Sequence, residues 1–121
     1  MSNPVAAERS QCIFCRIADG DLPARKIHED EQAIVFHDIN PAAPVHFLII
    51  PKQHVVNLYD GTAHPALLGH LMSLCGPLAR AQGLEDGFKV QIHNGPKGGQ
   101  EVYHLHIHVM GGVGSRPVQA G

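Results

Sequence analysis

The sequence predicts an α+β fold built on a mostly antiparallel sheet, and three observations carry the prediction. Five short stretches read as strands, and several of the connections between them are short enough for antiparallel pairing. Only one long helical stretch is present, so the alternation of strands and helices that a parallel sheet needs is missing. The chain has 121 residues with 44% hydrophobic content, which suits one domain around one core.

In chain order, residues 1–11 lack periodicity and read as a flexible N-terminal tail. Cys12-Ile-Phe-Cys15-Arg-Ile-Ala-Asp-Gly20 reads as a short helix, with Gly20 as its C-terminal stop. Lys26–Glu29 and Ala33–His37 read as strands joined by a hairpin loop over 29–32. Asp38 to Pro44 is a loop punctuated by Pro41 and Pro44. The apolar run Val45–Ile50 predicts a central strand stopped by Pro51. His64–Gln82 predicts the long helix: Leu67, Leu68, Leu71, Met72, Leu74, Cys75 and Leu78 give it a broad apolar face. Thr62 is its expected N-cap, Gly76-Pro77 should kink or break it, and Gly83 should end it. Phe88–His93 is the fourth strand, followed by the glycine-rich connection Asn94-Gly-Pro-Lys-Gly-Gly99.

The last strand carries the chemistry. In Val102-Tyr-His104-Leu-His106-Ile-His108-Val-Met110, three histidines alternate with aliphatic residues. Period two puts Tyr103, Leu105, Ile107 and Val109 toward the core and the three imidazoles on the other face, about 7 Å apart. Imidazole serves as nucleophile, acid, base or metal ligand near neutral pH. A glycine-rich turn feeding such a row brings backbone N–H groups close to an anion. Together they point to phosphoryl or nucleotidyl transfer. A mononuclear zinc hydrolase with the same three histidines as ligands is the competing enzymatic reading. A nucleotide-binding regulatory module with little turnover is the non-enzymatic one.

Composition excludes other classes. A formal charge of −2 gives no electrostatic reason for nucleic-acid binding, and no apolar run approaches membrane-spanning length. Three cysteines and no visible secretory signal favour a reducing, cytoplasmic setting over a disulfide framework. Cys12-x-x-Cys15 has zinc-ligand spacing but needs two more ligands, and His54 and His104 are the candidates. Two buried thiols on a short helix are the alternative.

His104-Leu-His106-Ile-His108-Val-Met110 resembles the His-φ-His-φ-His-φ-φ signature (φ hydrophobic) of the histidine triad superfamily. Phe36-His-Asp-Ile39, His46-Phe-Leu-Ile-Ile-Pro-Lys52, Leu68-Gly-His-Leu-Met72, Gly98-Gly-Gln100 and Val102-Tyr-His104 resemble its Hint branch, so the resemblance spans residues 12–112. It leaves 113–121 as a C-terminal tail. The resemblance implies a homodimer that joins two five-stranded sheets into one of ten strands. It implies binding of a purine nucleoside monophosphate and hydrolysis of the P–N bond in phosphoramidates such as AMP linked to an amine. No cofactor is implied for the chemistry; a structural zinc on Cys12, Cys15, His54 and His104 is known from some bacterial members.

By the same resemblance His106 is the nucleophile, His108 a phosphate contact that assists the departing amine, His104 an orienting group and His46 a fourth active-site histidine. Asp38 would take the ribose hydroxyls, with an Asx-turn as its ordinary role. Asn94 and the backbone of Gly99 and Gln100 would hold phosphate oxygens. Ile39, Ile27 and Phe14 would wall the base. Glu101 departs from the serine of the best-known eukaryotic members, because a carboxylate cannot donate to phosphate as a hydroxyl does. His28 replaces a common aromatic residue, and the chain has no Trp. These departures put leaving-group specificity in question.

Overall fold

The computed structural model describes residues 6–112; the expected C-terminal tail over 113–121, and residues 1–5, lie outside the described residues. Five strands, β1 (Lys26–Glu29), β2 (Ala33–His37), β3 (Val45–Pro51), β4 (Lys89–Gln91) and β5 (Ile107–Gly111), form one sheet in the order β1-β2-β3-β5-β4. Every neighbouring pair is antiparallel. The apolar run therefore does form the central strand, β3. It extends one residue further than expected, to Pro51, whose missing N–H is harmless at a strand end.

Alternation along the strands feeds two apolar layers. Val35, Phe47, Ile49, Ile107 and Val109 pack on one face against Leu67, Leu71, Cys75 and Ala79. Ile34, Phe36, Leu48 and Ile50 pack on the other face against Cys12, Phe14 and Cys15 of the α1 segment (Ile13–Ala18). Buried side chains such as Phe47, Ile49 and Leu71 each contribute about 1.5–3 kcal/mol. The even-numbered positions of β3 and β5, His46, His108 and Met110, thus share the α1 side of the sheet.

The single long helix is not there. It divides into α3 (Pro65–Ser73) and α4 (Cys75–Ala81) at Leu74, and a short α2 (Leu58–Gly61) precedes them. The break falls three residues before Pro77. Pro77 cannot donate to the carbonyl of Ser73, and its ring crowds that same carbonyl. Thr62 ends α2 and does not cap α3, whose N-cap position is His64. The sequence near 57 also held an unforeseen start: Asn57 Oδ1 accepts from the N–H of Tyr59. Gly83 follows α4 at φ +90°, a left-handed stop as expected.

The N-terminal segment Ala6–Gln11 is a 3₁₀ helix where a loose tail was expected; Arg9 fastens it to Asp19 with a pair of hydrogen bonds of 3.0 and 2.7 Å. The fourth strand is three residues long, shorter than Phe88–His93. The histidine segment differs most. Only Ile107–Gly111 is strand, and residues 101–106 leave the ladder: the N–H of Leu105 donates instead to Val55 O. Tyr103 is half-buried and does not join the core, whereas Leu105 does.

Candidate active site

Leaving the ladder before Ile107 gives the three histidines different fates. His108 sits inside β5, opposite Leu48 of β3 and Gln91 of β4. His106 precedes the strand on the same face, and its ring lies 5.0 Å from that of His108. His104 turns away beneath α1 and is wholly buried. Phe14 stands between, its ring edge-on to His104 at 6.0 Å and to His106 at 5.1 Å. The expected row of three equivalent imidazoles is therefore two separate sites. The three do not converge on one point, so they do not make the ligand set of a mononuclear zinc hydrolase.

The hydrogen bonds fix the tautomers. Carbonyl oxygen only accepts, so the 2.7 Å contact to His104 O places the proton of His106 on Nδ1. Its Nε2 then carries a lone pair. His46 accepts from the N–H of Ala42 at Nδ1, 3.0 Å, so its proton is on Nε2. That proton is donated to His108 Nδ1 at 2.9 Å, which leaves the His108 proton on Nε2. Lone pair and donor stand side by side, on His106 and His108, along one cleft of about 870 Å³.

Burial weakens all three as bases. It lowers His106, aided by the His93 charge, although the His104 carbonyl opposes the shift. Burial, then the charges of His106, His46 and His93, brings His108 down to about 4. Burial also lowers His46, partly offset by Asp38. At pH 7 the pair His46–His108 is neutral and transmits tautomer, not charge.

Asp38 has both of the roles weighed for it within reach. Its Oδ1 makes an Asx-turn with the N–H of Asn40, 2.8 Å, while Oδ2 lies 3.3 Å from His46 Nε2 and the residue lines the cleft. Phe14, Ile39, Gly99 and Glu101 line it as expected, and Ile39 is 90% exposed at its mouth. Ile27 does not. It packs against the core cluster on the opposite face of the sheet, and Leu22 stands at the cleft wall in its stead. Asn94 and Gln100 are also outside the cleft lining. Asn94 Oδ1 accepts from Leu58 N–H at the start of α2. Gln100 is buried, accepting from Asn57 and Gly95 and donating to Val56 O and Val102 O. Their work is bracing. The N–H groups of Gly99 and Gln100 close the turn onto Pro96 O and Gly95 O, with Gly99 left-handed at φ +84°.

His93 is a cleft residue that was not among the expected site residues. It lines the cleft, with its ring 5.0 Å from His108 and tilted by 37°. A signal was available. Val90 and Ile92 pack against the core, so Lys89, Gln91 and His93 alternate onto the face that carries His106 and His108. The alternation of a neighbouring strand marks the site as surely as that of the triad strand.

On the other side of Phe14 lies the second cluster. Cys12, Cys15, His54 and His104 bring four ligand atoms within 4.8 Å of one another. His104 Nε2 donates to Pro51 O at 2.7 Å, so Nδ1 offers its lone pair to the sulfurs of Cys12 and Cys15 at 3.3 and 3.4 Å. His54 Nδ1 lies 3.1 Å from Cys15 Sγ. Burial and the adjoining Cys12 push the Cys15 thiol up to about 12, and burial lowers His104 to about 4. A Cys₂His₂ set with one histidine oriented by a backbone carbonyl has the donors and outer support of a closed zinc site. The donor set fits zinc.

Comparison with known proteins places the chain. The HIT domain family matches residues 19–114. Protein HitA of Neisseria gonorrhoeae is 52% identical over 101 residues, covering 83% of this chain and 94% of that protein. The crystal structure of a HIT family hydrolase from Legionella pneumophila is 43% identical with a TM-score of 0.80, covering 84% of this chain and 92% of its own. A histidine triad protein from Clostridium difficile superposes with a TM-score of 0.84 at 38% identity, covering 93% and 99% of the two chains.

Proposed function

This chain belongs to the HIT family, and on that premise we propose that it hydrolyses the P–N bond of purine nucleoside phosphoramidates through a covalent nucleotide on His106. One observation carries the reading: the 2.7 Å bond from His106 Nδ1–H to the His104 carbonyl, which leaves Nε2 as a lone pair beside the cleft. Nε2 attacks the α-phosphorus, the P–N bond to the amine breaks, and the electron pair leaves with the amine nitrogen. The imidazole then carries positive charge, which the His104 carbonyl stabilises through Nδ1–H. Water attacks the phosphorus in a second displacement, and the pair returns to Nε2.

His108 Nε2–H donates to a phosphoryl oxygen, and His46 holds it in that tautomer. Asp38 accepts from the ribose hydroxyls. Phe14, Leu22 and Ile39 supply apolar surface for the base, and Glu101 faces the leaving group. Cys12, Cys15, His54 and His104 would hold a structural zinc, which would fasten the α1 segment against the segment that bears His106. Such a zinc would serve the fold, with the chemistry left to His106 and His108. The protein works as a homodimer whose sheets join across an edge strand into one of ten strands; a monomer by light scattering at micromolar concentration contradicts that element. No helix among the described residues is long and apolar enough to cross a membrane.

The test is to trap the intermediate. Denaturing quench during turnover of AMP-amine substrate is expected to leave acid-labile AMP on the peptide that contains His106. Turnover with that peptide never labelled sinks the covalent route.

A further inference from the structure

The proposed reaction leaves one proton unaccounted for. The departing amine nitrogen must be protonated, a part that the family resemblance gives to His108, yet His46 and His108 are both neutral and committed to each other through the 2.9 Å bond. His106 holds its single proton against a carbonyl. None of the three has a proton to release without becoming an imidazolate.

His93 is differently placed. It is half-buried at the wall of the cleft, two residues beyond the last β4 position, on the face shared with His106 and His108. Continued by two residues, the β4–β5 register sets it directly opposite His106. Its ring covers the side of His108 away from His46: the His108 ring is 5.2 Å from His46 and 5.0 Å from His93. Among the described residues no side chain or backbone group engages either of its ring nitrogens, whereas His46, His106 and His108 are all bonded within the protein. The charged or titratable groups that share this cleft with it are His106 and His108 from the β5 segment, Glu101 from the turn before it, Asp38 and His37 at the end of β2, and Arg25 ahead of β1.

We propose that His93 is a fifth active-site imidazole, the catalytic residue that protonates the leaving amine. The inference rests on His106 as nucleophile. As Nε2 of His106 forms its bond to phosphorus, the P–N bond breaks with its electron pair on the amine, and the imidazolium of His93 gives that nitrogen its proton. Neutral His93 then takes a proton from the water that attacks the nucleotidyl-histidine, and the cycle closes with no net change.

Single-turnover release of the leaving group tests this with two substrates, AMP linked to an alkylamine and AMP 4-nitrophenyl ester, whose phenolate departs without help. His93→Phe keeps a flat ring against His108 and removes both nitrogens. His93→Gln keeps a hydrogen-bond donor that cannot release a proton. Both variants are expected to slow alkylamine release by about a hundredfold or more, and to change nitrophenolate release by less than about threefold, with AMP affinity retained. Equal losses on both substrates, loss of AMP affinity, full alkylamine activity in His93→Phe, or rescue by Gln each overturn the assignment. A wild-type protein that cleaves neither substrate removes the proposed function itself, and this inference with it.

Discussion

His104 and His106 are two residues apart and meet opposite surroundings. Each has one ring nitrogen fixed by a backbone carbonyl, Pro51 O for His104 and His104 O for His106, both at 2.7 Å. The difference lies in what the other nitrogen meets. For His104 it meets two sulfurs in a closed, wholly buried pocket. For His106 it meets an open cleft. A lone pair among thiols is placed as a metal ligand would be; the same lone pair beside a cleft is placed as a nucleophile would be. Phe14 separates the two environments by a single ring.

The largest expected effect breaks the reactive half alone. His106→Ala should lower phosphoramidate turnover by at least about ten-thousandfold, with zinc content, melting temperature and AMP affinity unchanged. Measured activity within tenfold of wild type would remove the distinction between the two histidines.

Breaking the other half should show the reverse pattern. Cys15→Ser is expected to lower bound zinc well below one per chain and the melting temperature by roughly 10 °C, since ligand loss is among the few changes that cost several kcal/mol. Turnover per folded molecule should fall only severalfold. A chelator that abolished turnover at unchanged melting temperature would contradict a purely structural metal.

A subtler change sharpens the comparison within the reactive half. His46→Ala removes the group that holds His108 in its Nε2–H tautomer. A loss in kcat of roughly tenfold to a hundredfold is expected, with KM for the nucleotide little changed. A KM effect alone would make His46 a binding group.

The smallest effect is on stability against pH. Burial holds His108 at about 4 in the folded protein, below the usual histidine value of about 6.5. The unfolded chain therefore binds more protons between those values. Its share of stability is complete above about pH 6.5 and is lost as pH falls toward 4. The melting temperature should decline across that window, and His108→Asn should make the decline shallower. An equal slope in the variant would locate the titration elsewhere.

Much of this was legible in the chain. The antiparallel strands, the apolar alternation of Leu105, Ile107 and Val109, and the Cys12-x-x-Cys15 spacing are local properties, and local properties survive in one dimension. The break at Leu74 was legible too, once Pro77 is referred to the carbonyl four residues before it. Ile27 was misplaced because periodicity names two faces and does not say which one the cleft occupies. Asn94 was expected at the phosphate because an amide suits a phosphate as well as it suits a turn, and the Gln100 backbone because it follows two glycines; in the fold Asn94 Oδ1 accepts from Leu58 and the Gln100 N–H donates to Gly95 O.

The sequence by itself determined that imidazoles would gather by the face of a sheet, and the period-two pattern holds from His106 onward, where β5 begins at Ile107. Only the tertiary structure decided which of them opens onto the cleft. Val55 draws the backbone of Leu105 out of the ladder, Pro51 orients His104, and α1 drops Phe14 between the two rings. Each of these contacts joins residues about fifty or more apart in the chain, and at that distance a role is assigned by packing and not by spacing.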